Sequence, residues 1–437
     1  MKKIFLSFFA LSLFLGSRAQ ENVYPAPKQV GTTVITNATV HVGNGQVLNN
    51  ASVVINDGKI AAVGSNIATP ANATVVNAQG KHVYPGLILP VSNLGLVEIG
   101  AVRASNDVRE IGDMNPNVRS IVAYNTDSKV INTLRSSGIL LANVVPQGSF
   151  VAGQSSIVQL DAWNWEDAAY KMDAGLHVYM PSLLPRPRFG GGGGQGGPQQ
   201  PSDPVKEGLD RIDELKTFFS QAKAYKEDEN RTVTNLKLES VQDLFTKKKK
   251  LYVHANTVKQ MLVALDFVTE FGFDVVIVGG SDSWQIADLL KQHNVSVILN
   301  QPHSLPTLPD DDVDQPYKTA AALQKAGVLF SISDDDGQTR GRNLSYNAGT
   351  AAAYGLTKEQ ALQAVTLNAA KILGVSDKTG SIEVGKDANI VISEGDILDM
   401  RTSQVTDAFI QGRKIDLTDK QKQLNERYKR KYGQRDF

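Results

Sequence analysis

Six histidines and no cysteine are available for chemistry in this 437-residue chain. Thiol catalysis, disulfides and a lipid-modified cysteine anchor are therefore excluded, and any bound metal must use imidazole, carboxylate or amide ligands. His254 lies near the end of the strand-like run "LYVHA", with Asn256 just beyond it, and His303 stands in "NQPHSLP". His41, His82 and His293 read as surface residues in β turns or at a helix end. Two acidic runs, Asp310 to Asp314 and Asp334-Asp335-Asp336-Gly337, invite comparison with calcium loops, but neither has the spaced ligands and distal Glu that such a loop requires, so both read as solvated acid. In residues 84–96, "YPGLILPVSNLGL", Val91 and Asn93 share one face of a buried strand that leaves a Pro-Gly turn.

Scattered groups of this kind act together only if strands deliver them to a common end. Strand-like and helical runs alternate through the middle of the chain, as in "LYVHA" then "TVKQMLVALDFVTEFG", "DVVIVGG" then "SWQIADLLKQHN", and "VSVILNQP" then "YKTAAALQKAG". Repeated units of this type imply a parallel sheet, and their number favours an α/β fold of the closed (β/α)8 TIM-barrel type, with functional groups at strand C-terminal ends. Trp284, opening the helix after "DVVIVGG", then lies near the mouth, whereas Trp163 and Trp165 read as packing residues. Short strands with Asn-Gly, Asn-Asn and Asp57-Gly58 turns run from Thr33 to Asn77, and similar alternation returns in "GSIEVGKDANIVISEGDILDM". A small β-sandwich domain formed from both termini, residues 20–82 with 376–416, brackets a barrel over residues 83–375.

With 41% hydrophobic and 21% charged residues, and 45 basic against 45 acidic side chains, the composition is that of a globular protein with no footprint for nucleic acid. Lys2 and Lys3, the apolar run Ile4 to Leu15 and Ser17-Arg18-Ala19 form a signal peptide over residues 1–19, so export to the periplasm is expected, with no membrane insertion after its removal. The stretch "RPRFGGGGGQGGPQQPSDP" cannot build a core and reads as a loop over residues 189–204. No Gly-Lys-Ser/Thr follows it, which argues against a phosphate cradle. Residues 417–437 read as a basic, solvated helical tail.

"INDGKIAAVG", "YPGLI", "VHANT", "AALQKAGVLFSISDD", "GLTKEQALQAVTLNAAKILGV" and "GSIEVGKDANIVI", in this order, resemble the amidohydrolase superfamily in its branch related to imidazolonepropionase. The resemblance implies hydrolysis of a carbon–nitrogen bond, in an amide or cyclic amide, by water activated on divalent metal in the barrel mouth. It also implies a degenerate metal site. Leu89, Val91 and Asn93 stand where the first strand's aspartate and paired histidines belong, Gly175-Leu176-His177 stands for Gly-Leu-Lys on the fourth strand, Asn256 replaces a histidine after His254, Gly279 replaces another on the sixth strand, and Asp334 holds the catalytic aspartate's place on the eighth.

Three readings follow. His177, His254 and Asp334 form a reduced mononuclear site for zinc or iron, with His254 and Asp334 catalytic and with His303, Asn256, Trp284 and Asn93 as substrate contacts. Alternatively the barrel is a catalytically inactive homologue, binding a small molecule or acting as a partner in a homo-oligomer or beside a related hydrolase subunit. Metal-free hydrolysis by His254 as base with Asp334 as its orienter lacks a nucleophile and an oxyanion donor.

Overall fold

The computed structural model describes residues 23–184, 203–228, 232–334 and 340–434. The expected signal peptide, and the Gly-rich loop as far as residue 202, lie outside them. Five strands open the described chain: β1 (Thr32–His41), β2 (Val47–Asn56), β3 (Lys59–Ser65), β4 (Thr74–Asn77) and β5 (His82–Pro85). Eight follow: β6 (Leu87–Ser92), β7 (Ile139–Val144), β8 (Val151–Gln159), β9 (Ala169–Tyr179), β10 (Lys250–Ala255), β11 (Val275–Gly279), β12 (Ser296–Leu299) and β13 (Phe330–Ile332). The last three are β14 (Ile390–Ser393), β15 (Val405–Ile410) and β16 (Arg413–Lys414).

The first and last groups build one sheet in the order β16-β15-β14-β5-β1-β2-β3, with β4 on β1, so strands from both termini share hydrogen bonds. Asp57 and Gly58 both take positive φ, 49° and 76°, and close the β2–β3 hairpin. Ile35, Val53, Ile55, Ile390 and Phe409 bury their side chains in the core of this domain. His41 and His82, expected at the surface, instead stack beside Tyr84, because the β1–β5 register sets Thr39 against His82. His41 Nδ1 lies 2.7 Å from Glu359 on the barrel helix Lys358–Ala364, so the pair sits where the two domains meet.

The middle eight strands form the barrel in chain order, from β6 to β13. Ser333 Oγ donates to the Val91 carbonyl at 3.2 Å and links its two ends. Uniform strand–helix alternation was the expectation, but β8 runs antiparallel to both β7 and β9. The reason is chain length: the residues between β7 and β8 are too few for the crossover that a parallel pair needs. At the floor, the helix Leu367–Leu373 turns its last carbonyls toward Lys171, Lys250 and Tyr252, two cations and a hydroxyl at the negative end of a helix dipole.

Asp161 ties these parts together. Its fully buried carboxylate accepts from Arg135 on the helix Lys129–Ser136, from Arg413 on β16 at 2.7 Å and from the backbone N–H of Ala26 at 2.9 Å. The C-terminal helix Lys420–Tyr432 buries no residue, but its N-cap, Asp419, accepts from Ser136 Oγ at 2.6 Å. Among the described residues no helix is long and apolar enough to cross a membrane. Asp161→Ala leaves two arginines without their buried anion and is expected to lower unfolding free energy by roughly 3–5 kcal/mol, read by urea unfolding against Asp113→Ala, whose ion pair with Arg211 is exposed.

Candidate functional site

Alternation along β9 and β10 puts His177, Tyr179, Tyr252 and His254 on the inner face of the barrel. Register pairs His177 with Tyr252 and Tyr179 with His254. Both pairs stack, with ring centroids 4.8 and 3.8 Å apart. Gly175 makes room for the Tyr252 ring, since a Cβ there would lie 2.1 Å from it. Held in this way, His177 Nδ1 and His254 Nε2 meet at 2.9 Å. The other nitrogen of His177 lies 2.8 Å from Ser155 Oγ, which the antiparallel β8 carries to this face.

Desolvation decides the charge of both rings, His177 fully buried and His254 half-buried at the edge of the mouth. Desolvation, with His254 as a second cause, holds the pKa of His177 well below its ordinary value, and desolvation brings that of His254 down to about 3. Each ring therefore carries a single proton at neutral pH, and the Ser155–His177–His254 chain has two settings. When His177 donates to Ser155, His254 Nε2 donates to His177 and His254 Nδ1 is left as an acceptor. When Ser155 donates, every bond reverses and His254 Nδ1 becomes a donor.

His254 opens onto a cavity of about 1290 Å³ that spreads over the barrel mouth and is also lined by Val91, Tyr179, Asn256, Val278 and Asn300. The loop residues Arg103, Asp107, Arg109, Glu110 and Asp113 supply its charged outer wall.

The expected mononuclear site is not assembled: among the described residues no three His, Asp or Glu side chains form a group that could hold a metal ion. His177 has both nitrogens engaged by His254 and Ser155. Asp334 is buried, accepts from Asn347 Nδ2 at 3.1 Å and does not line the cavity. Two imidazoles fall short of the three protein ligands that a catalytic zinc requires. The missing sixth-strand histidine has a steric counterpart. Gly279 has a φ of 99°, and a Cβ on it would stand 2.3 Å from Asn256 Oδ1, so the asparagine and the glycine exclude a histidine together.

The expected substrate contacts separate. Asn256 lines the mouth and accepts from Ser281 Oγ at 3.2 Å. Asn93 lines neither cavity: the turn in which Leu96 N–H donates to its carbonyl keeps the side chain buried, with Oδ1 unpartnered. His303 is exposed, 3.2 Å from Thr350 Oγ1, and lines neither cavity because its loop turns it toward the helix Leu344–Ala353. Trp284 belongs to a smaller, adjoining cavity. Ser155, Tyr179 and Asn300 escaped the sequence reading. Ser155 had no signal at all, since only the reversed direction of β8 aims it at His177.

Residues 239–418 match the Amidohydrolase family. The crystal structure of an amidohydrolase from Thermotoga maritima superposes with a TM-score of 0.74 at 26% identity, covering 88% of this chain and 99% of that one. Imidazolonepropionase from Flavobacterium johnsoniae is 35% identical over 82 residues, 18% of this chain and 20% of its own. That from Thermoplasma volcanium is 38% identical over 86 residues, 19% and 21% of the two chains. The matched stretch spans about a fifth of these curated relatives' length. With the barrel and the two-ended β domain, the chain is similar over residues 239–418 to the Amidohydrolase family and over about a fifth of its length to imidazolonepropionase.

Proposed function

We propose that this protein acts on a carbon–nitrogen bond, in an amide or cyclic amide, of a small molecule held in the barrel-mouth cavity, and that it works after export to the periplasm. The observation that carries the reading is the neutral histidine chain ending at His254 on the cavity wall. An amide presents both a donor and an acceptor, and His254 Nδ1 changes between the two roles as the chain reverses. The match of residues 239–418 to the Amidohydrolase family and the resemblance to the Thermotoga amidohydrolase support the reaction class. The reduced single-metal form of this chemistry has less support, because the donor set stops at two imidazoles.

A second reading, an inactive homologue that binds the same class of molecule, is favoured by the low basicity of His254 and by Val91 at the place of a ligand. A base with a pKa of about 3 takes only a small share of the proton from an attacking water at neutral pH. The two readings share a ligand and differ in turnover.

Incubating the purified protein with a panel of simple amides, lactams and imidazolones, with product followed by mass spectrometry, separates them. Hydrolysis that falls about 10²-fold or more in His254→Ala is expected for the enzyme. Thermal stabilisation by a panel member without product marks the binder, and turnover indifferent to His254→Ala refutes the assignment of the site. The pH dependence of stability follows from the same shift. The folded pKa of His254 is depressed, so its contribution is complete above about pH 6.5 and is lost as pH falls toward 3, at up to about 1.4 kcal/mol per pH unit. Urea unfolding between pH 7 and 4 is expected to show this decline, with a shallower slope in His254→Gln.

A further inference from the structure

Beside the barrel mouth, between the ends of β11 and β12 and the helix Gln315–Ala326, lies a second cavity of about 50 Å³. Its lining includes Asp282, Asp311, Trp284 and Tyr317 and contains no lysine, arginine or histidine. Asp282 is only 5% exposed, and its Oδ1 has no hydrogen-bond partner. Thr307 and the backbone of Val258 act on the same carboxylate and pull its pKa down, against its burial. A buried carboxylate oxygen without a donor is costly, and such a group in a native fold calls for an occupant.

We infer that this cavity is a subsite for the primary ammonium group of a small molecule, with Asp282 as its direct partner. An ammonium brings three donors and a positive charge to a wall with two carboxylates and two aromatic side chains. Burial, with Asp311 adding to it, pushes the Asp282 pKa up, a penalty that a bound cation relieves. The size fits: a site needs only roughly 10–15 Å³ on this measure to hold one water, so this cavity accepts a methylammonium-sized head and excludes a bulky one. A divalent metal is a poor occupant, because among the described residues no three-ligand group exists.

The two cavities share Gly279 and Asn300. A molecule with its amine at Asp282 therefore extends past Asn300 toward His254. This deepens the proposed function, on which the identification of the occupant as the amine end of an amide substrate rests. Ammonium binding itself does not depend on turnover, so a failed amide screen and a failed binding test remain distinguishable.

The test is titration of the full-length protein with methylammonium chloride at constant ionic strength, with potassium chloride and acetamide as controls, followed by Trp fluorescence and thermal shift. Saturable methylammonium binding, weakened at least 10-fold in Asp282→Asn and without its fluorescence change in Trp284→Leu, is expected. A response matched by potassium, or an affinity unchanged in Asp282→Asn, overturns the proposal. Should Asp282→Asn not fold, Asp311→Asn is expected to weaken binding several-fold by removing the second charge, and no loss there counts equally against the subsite.

Discussion

The site is organised by one contact across the inside of the barrel, the 2.9 Å approach of His177 to His254. Stacking against Tyr252 and Tyr179 fixes both rings, and Ser155 fixes the far nitrogen of His177. His177 is fully buried, and desolvation lowers the pKa of half-buried His254 to about 3, so at neutral pH the two form a neutral hydrogen-bonded chain rather than an ionic one. The neighbouring positions agree with that state. Val91 offers no ligand atom, and Gly279 with Asn256 closes the place where another histidine would stand. Losses that look independent along the chain form one consistent packing.

Keeping the rings aligned requires a rigid barrel, and much of that rigidity comes from contacts remote in sequence. The floor helix is held by Lys171, Lys250 and Tyr252, the last of which also stacks on His177. Asp161 joins the N-terminal segment, a barrel helix and the last strand through one buried carboxylate. The stacked His41, His82 and Tyr84, with Glu359 beside them, lie along the domain boundary.

Much of this fold was legible in the residues. Strand alternation and the Asp57-Gly58 turn marked the β domain, and the strand–helix units marked the barrel, because local pattern and turn chemistry agree with the final structure. The reversed β8 was not legible as such, since periodicity gives a strand but not its direction. His254 and its position at a strand end were readable, and so was the absence of ligands at Val91 and Gly279. The partnership of His177 with Ser155 was not, because it depends on register between strands. For Asp334, a matching position in sequence does not say which way a carboxylate points; here it accepts from Asn347 and lines neither cavity.

The central claim is that a pair of neutral histidines, rather than a metal ion, forms the polar centre of this barrel. Elemental mass spectrometry of the purified protein, alongside His177→Ala and His254→Ala, tests it most directly. Zinc and iron far below one ion per chain, and no lower in either variant, is the expected result. Near-stoichiometric metal that disappears in both variants would contradict it and would mean that the two imidazoles recruit ligands from outside the described residues.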